Sequence, residues 1–189
     1  MWQAFFVSTG VVALGEIGDK TQLLALLLAA RFRKPVPIIL GILVATLANH
    51  AGASALGNWI MRTIDPQWMR WALGLSFLAV AVWMLIPDKA DELRAGSTSR
   101  FGVFGITTVA FFLTEMGDKT QIATVMLAAK FDSLWVVTAG TTLGMMIANV
   151  PAVLLGDRVM DWLPVKVVHR IAAAVFAVLG IVVLAGYGG

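Results

Sequence analysis

No cysteine occurs among the 189 residues, which excludes disulfides, thiolate metal centres and cysteine nucleophiles together. Charge is scarce as well. Only 13% of residues are Asp, Glu, Lys or Arg, against about a quarter in an ordinary soluble domain. With 59% hydrophobic residues and a mean hydropathy of +0.87, the chain cannot furnish a water-facing surface, so its solvent has to be largely lipid. A basic stripe is also missing. The pI near 9.6 arises from Lys and Arg in short loops between apolar segments, and nucleic acid is therefore not an expected partner. No basic n-region precedes the first apolar run, and that run holds charged residues of its own, so a cleavable leader is not expected.

What the chain does contain is six apolar segments, at about 4–30, 36–61, 67–86, 101–129, 134–156 and 165–187. Each is long enough to cross about 30 Å of hydrocarbon as a helix. The one sizeable polar connection, 87–100, reads as a solvated linker. It separates a first three-helix unit, 1–86, from a second, 101–189. The other connections are tight, which predicts antiparallel packing of sequential neighbours.

Loop charge sets the orientation. Arg31, Arg33, Lys34, Lys89, Arg94, Arg100, Arg158, Lys166 and Arg170 fall on one side, and Arg62, Arg70 and Lys130 on the other. The excess places the linker in the cytoplasm and both termini outside. Trp2, Trp59, Trp68, Trp71 and Trp135 mark the outer interface, and Trp83 and Trp162 the inner one, as belt anchors.

Two stretches inside this apolar chain are anomalous. Glu16-Ile17-Gly18-Asp19-Lys20-Thr21-Gln22 returns 99 residues later as Glu115-Met116-Gly117-Asp118-Lys119-Thr120-Gln121. At the same offset Leu28-Ala29-Ala30 matches Leu127-Ala128-Ala129, Phe32 matches Phe131, Gly41 matches Gly140, Gly57 matches Gly156, Phe77 matches Phe176 and Leu85 matches Leu184. Three spans per unit is an odd number, so the second unit enters the membrane from the opposite side. The expected architecture is an all-α, polytopic membrane protein built as two inverted-topology three-helix repeats, a plan common among secondary transporters.

Glu16 lies 14 residues from Trp2 and 15 from Arg31, and Glu115 lies 15 from both Arg100 and Lys130. At about 1.5 Å per residue both carboxylates come out near the bilayer centre, where ionisable groups are expensive and mark functional sites. On a continuous helix Glu16 and Asp19 share a face, and Lys20 is spaced to pair with Glu16. Gly18 allows close approach of another helix, or unwinding that frees carbonyls.

Four acids (Glu16, Asp19, Glu115, Asp118) and two lysines (Lys20, Lys119) sum to −2 when ionised, enough to neutralise one divalent cation or two protons. Carboxylate, hydroxyl (Thr21, Thr120) and amide (Gln22, Gln121) oxygens suit hard cations such as Ca²⁺, Mg²⁺ and Mn²⁺. An empty, fully ionised pocket suffers like-charge repulsion and desolvation. Cation and protons should therefore compete for the same oxygens, and helices that move only when neutralised would couple them. A purely structural role suits the lysines better than the acids, since two neutral pairs would suffice to join the halves.

Weaker candidates are Asn49, His50 and Asn149 at equivalent places in the second and fifth spans. His50 is a candidate Mn²⁺ ligand or proton relay, with an ordinary hydrogen bond as the plainer alternative. Pro151 frees the carbonyl of Ile147. Met116, Met126, Met145 and Met146 offer sulfur but read as packing. The run from Ala45 to Gly57 reads as a helix–helix face. Asp88, Asp91, Glu92, Asp157 and Asp161 lie in loops or near helix ends, where solvated charge is the default.

Glu-(hydrophobic)-Gly-Asp-(Lys/Arg)-(Thr/Ser), once in each of two inverted repeats, resembles the Gdt-type cation/proton antiporters of bacteria, Golgi and chloroplasts. The resemblance covers nearly the whole chain. It implies transport of Mn²⁺ or Ca²⁺ coupled to protons, with Glu16, Asp19, Glu115 and Asp118 as the cation site. Lys20, Thr21, Lys119 and Thr120 complete the motifs. Bacterial members are associated with manganese export, which implies an inner-membrane location. The expected partners are the cation, protons and the bilayer, with a homodimer as an open oligomeric state. No cofactor and no enzymatic activity are expected. The competing readings are a passive divalent-cation channel, a membrane-embedded metal-dependent enzyme, and an exporter of amino acids or other small solutes. Symmetric duplication counts against the enzyme, because catalysis usually gives two carboxylates different environments.

Overall fold

A computed structural model describes residues 1–86, 102–156 and 165–186. The linker 87–100 lies outside the described residues, with Asp88, Lys89, Asp91, Glu92, Arg94 and Arg100. So do Asp157, Arg158, Asp161 and Trp162. The described residues form eight helices: α1 (Trp2–Glu16), α2 (Lys20–Phe32), α3 (Pro35–Thr63), α4 (Pro66–Met84), α5 (Gly102–Glu115), α6 (Lys119–Phe131), α7 (Leu134–Leu155) and α8 (Val165–Leu184). Of these, α3, α7 and α8 are individually long and apolar enough to cross a membrane. The chain is a polytopic helical membrane protein.

Two of the six expected spans are not continuous. The first is divided into α1 and α2, and the fourth into α5 and α6, in both cases at the Gly-Asp of the motif. Local chemistry accounts for the starts elsewhere. Pro35 and Pro66 occupy the first turns of α3 and α4, where a missing N–H costs nothing. Asp65 caps α4 by accepting from the Gln67 N–H at 2.9 Å.

Packing departs from the expectation of sequential antiparallel pairs. The main contacts run between repeats: α1 lies on α7, α5 on α3, α6 on α3, and α4 on α8. Small residues permit this. A Cβ on Gly140 would meet the Phe5 carbonyl oxygen at 2.7 Å and Ser8 at 3.1 Å. A Cβ on Gly41 would meet the Phe104 carbonyl oxygen at 2.9 Å and Thr107 at 2.7 Å. Residues 5, 8 and 140 are related to 104, 107 and 41 by the 99-residue offset, so the two contacts are one contact made twice. The Ala45–Gly57 face behaves as expected, with Gly57 pressed against the backbone of Val125.

The axis relating the repeats can be read from α4 and α8. Gly74 meets Leu184, Leu78 meets Gly180, and the equivalent rings of Phe77 and Phe176 face each other 6.2 Å apart. Equivalent helices therefore run antiparallel, so the two-fold axis crosses them and the repeats are inverted. The exposed aromatics Trp2, Trp59, Trp68, Trp71 and Trp135 fit an interfacial belt.

The glycine contacts yield a prediction. In Gly144→Ala the new methyl would sit 2.5 Å from the Thr9 carbonyl oxygen, and overpacking of this kind typically costs about 1–3 kcal/mol. No described residue comes within 4 Å of a Cβ on Gly10, so Gly10→Ala should be neutral or raise stability by up to about 1 kcal/mol through helix propensity. Thermal unfolding in detergent should separate the two. Equal midpoints would count against this packing.

Candidate cation site at the two helix breaks

Each break is built the same way. Glu16 ends α1, Ile17 turns extended, and Gly18 takes φ of 80°; Asp19 then stands at the N-cap of α2. In the second repeat Gly117 takes φ of 77° and Asp118 caps α6. Only glycine adopts this left-handed region freely. In a continuous helix the Gly18 N–H would donate to Leu14. Here it donates instead to the Gln22 side-chain oxygen at 2.8 Å, and Gly117 N–H donates to Gln121 at 2.7 Å. Both glutamine oxygens, expected as cation ligands, thus stitch their own breaks. Gln22 Nε2 also donates to the Ala148 carbonyl at 2.9 Å.

The breaks face each other across the repeats. Carboxylate oxygens of Glu16, Asp19 and Asp118 lie within 4.8 Å of one another, and all three residues are buried. Thr21 donates its hydroxyl to Glu16 Oε2, while Glu16 Oε1 is buried without a hydrogen-bond partner among the described residues. The N-termini of α2 and α6 bring positive dipole ends toward Asp19 and Asp118, and Thr120 sits 3.4 Å from Asp118.

The expected Lys20–Glu16 pair is not formed. Lys20 Nζ lies 3.0 Å from Asp118 Oδ1, in the other repeat. An i, i+4 pairing needs an unbroken helix, and the turn at Gly18 removes it. Lys119, 1% exposed, reaches the carbonyl of Ile86 at 3.4 Å, just beyond α4.

The fourth acid is held apart. Glu115 Oε1 lies 2.7 Å from His50 Nε2, and Oε2 accepts from Asn49 Nδ2 at 3.3 Å; Asn49 also donates to the Phe112 carbonyl at 3.1 Å. Asn149, the counterpart of His50, instead turns back on its own helix, 3.1 Å from the Met145 carbonyl and 3.0 Å from its sulfur. The two Glu residues of the doubled motif therefore occupy different surroundings. Met126 and Met145 are buried, whereas Met116 is 56% exposed and lines a cavity of about 400 Å³ with Asn49, Gly52 and Gln121. α7 continues through Pro151 to Leu155.

One contributor escaped the sequence reading. His169, on α8, places Nε2 2.8 Å from the Ile17 carbonyl oxygen, and a Cβ on Gly18 would strike Val165 of the same helix. α8 therefore covers the first break. A lone histidine in an apolar span was the only available signal.

Three carboxylates and the buried hydroxyls of Thr21 and Thr120 between facing half-helices make an oxygen-rich, buried site of the kind hard cations take. A Vibrio cholerae protein named "Putative manganese exporter" is 49% identical over 176 residues, covering 93% of this chain and 87% of its own length. GDT1-like protein sll0615 of Synechocystis is 29% identical over 202 residues, covering 96% and 97% respectively. GDT1-like protein 4 of Oryza sativa subsp. japonica is 30% identical over 202 residues, covering 93% of this chain and 71% of the relative. No solved structure matches. The family described as divalent cation/proton antiporter GDT1 matches residues 4–92 and 103–188. That match runs through both repeats and is interrupted only in the region of the polar linker, so the chain belongs to the divalent cation/proton antiporter GDT1 family, one of transporters and not of enzymes.

Proposed function

We propose that this protein exports Mn²⁺, with Ca²⁺ as the alternative cargo, from the cytoplasm in exchange for protons. The carboxylate site is shared by both repeats, and the linker faces the cytoplasm of a bacterial inner membrane. The observation that carries the reading is the buried cluster of Glu16, Asp19 and Asp118 drawn from two facing breaks. The Vibrio relative's name supports the cargo, and the family description supports the exchange. Desolvated carboxylates this close cannot all stay ionised without a compensating charge, so releasing the cation favours proton uptake and the reverse. Lys20 neutralises part of Asp118 and limits the surplus to what one divalent ion or its proton equivalent balances.

The test is Mn²⁺ and Ca²⁺ flux in proteoliposomes under an imposed pH gradient. The expected result is Mn²⁺ movement driven by the gradient, with protons moving oppositely. Flux indifferent to the gradient would favour a passive channel. Gradient-driven export of an organic solute, insensitive to Mn²⁺, would replace the cation reading.

A further inference from the structure

The two breaks lie at different relative heights depending on which helices serve as the ruler. Along the broken spans they are central: α1 has 15 residues before the first break and α2 has 13 after it. Along α4 and α8 they lie at one end. Gly15, just ahead of the first break, packs against Met84, the last residue of α4. Lys119, just after the second, reaches Ile86. Gly18 and Ile17 meet Val165 and His169, in the first turns of α8. The opposite ends of this pair, where Gly186 approaches Arg70, are about 20 residues away, roughly 30 Å and the thickness of the hydrocarbon.

The contacts are correspondingly lopsided. Among the described residues α4 packs on α6 and α8 packs on α1, the two half-helices on the side of the termini, whereas no comparable packing joins α4 to α5 or α8 to α2. Lys166 and Arg170 are exposed on α8 at the level of the first break, which is no place for hydrocarbon. Among the other six helices each main contact has its counterpart under the same exchange, α1 on α7 with α5 on α3 and α6 on α3 with the less extensive α2 on α7, whereas the contacts to α4 and α8 lie towards one end of the pair, so the pair and the core are offset from each other.

We propose that the six-helix core (α1, α2, α3, α5, α6, α7) slides as one body along the α4–α8 pair, carrying the carboxylate site from one end of that pair to the other. This rests on the transport reading above. Exchanging the repeats converts every pair–core contact into its partner in the second state. Met84 against Gly15 becomes Val183 against Thr114, and His169 at Ile17 becomes Arg70 at Met116. Among the described residues the receiving surface is uncovered: Met116 is exposed and none of them lies within 4 Å of a Cβ on Gly117. Inverted repeats make the two end states close in energy, and an offset packed interface is bistable rather than continuously deformable.

The absence of cysteine makes the test direct. Double variants G15C/M84C (this state), T114C/V183C and R70C/M116C (the second state) and G74C/L184C (within the pair) would be treated with a short thiol cross-linker in membranes. Each would first be shown to carry Mn²⁺ when reduced. All four are expected to cross-link. A core-to-pair link in either state should lower Mn²⁺ flux by at least about tenfold, reversibly on reduction, because a locked end state cannot alternate. The link within the pair should leave flux within about twofold of the reduced protein. Flux that survives the G15C/M84C link overturns the sliding core. So does failure of both second-state pairs to cross-link in variants that transport. If the cysteine-free parent carries no Mn²⁺ yet both second-state pairs still cross-link, the sliding stands and the cargo reading alone falls.

Discussion

Glu16→Gln is expected to weaken Mn²⁺ binding on the order of a thousandfold and to bring exchange to background. Glu16 is one of three buried carboxylates that converge within 4.8 Å, so its charge faces whatever cation the cluster holds. Removing one unit charge about 4 Å from an ion forfeits about 4 kcal/mol per ionic charge at an effective dielectric of 20. The thousandfold figure takes only the first such increment as net, since the neutral amide still offers an oxygen and the site relaxes. Glu115→Gln should behave differently despite its identical place in the motif. Its carboxylate is engaged by His50 and Asn49, outside the three-acid cluster, so binding should fall by no more than about tenfold, a distant-charge effect. Binding measured by calorimetry in detergent and flux measured in proteoliposomes would together separate the two. Equal loss of affinity in both variants would show that the four acids act as one equivalent set.

Gly18→Ala should be the most damaging single-methyl change at the site, and much worse than Gly117→Ala. Both glycines sit near φ of +80° (80° and 77°), where an L side chain costs about 1–2 kcal/mol. Among the described residues only at Gly18 does the added Cβ run into another helix, at Val165 of α8, and the overpacking adds about 1–3 kcal/mol. The first variant should therefore lose about 2–5 kcal/mol and the second only the backbone part. Thermal midpoints in detergent measure this. Val165→Ala combined with Gly18→Ala should recover the packing component but not the backbone one. If the double variant is no better than the single, Val165 is not what the methyl meets.

Much of this was legible in the sequence. The 99-residue offset, the odd number of spans per unit and the charges inside apolar runs carried the inverted plan and named all three clustered acids. The Gly-Asp pair hints at unwinding, but i, i+3 and i, i+4 spacing holds only on a continuous helix, which is why Lys20 has a different carboxylate partner from the one its spacing predicts. Once the helix turns at Gly18, the lysine reaches across to Asp118. The backbone partners of Gln22 and Gln121 exist only once the breaks form, so no spacing rule for a continuous helix predicts them. Equivalence of the motif copies also concealed that Glu115 is held apart, since His50 has Asn149 as its counterpart and only packing between α3 and α5 brings the imidazole to the carboxylate. The placement of α4 and α8 had no local signal, because it depends on contacts between residues far apart in the chain.

The reciprocal seating of α1 on α7 and of α5 on α3 also governs when the molecule can become itself during synthesis. Helices enter a bilayer one after another and associate afterwards. When α1 is inserted, the glycines it must press against, Gly140 and Gly144, are more than a hundred residues from being made. The opening third of the protein therefore waits in the lipid with its docking surface bare and with Glu16 lacking the opposite break that completes its surroundings. The last spans to be synthesised close the first, and neither half can reach its final packing before the other arrives.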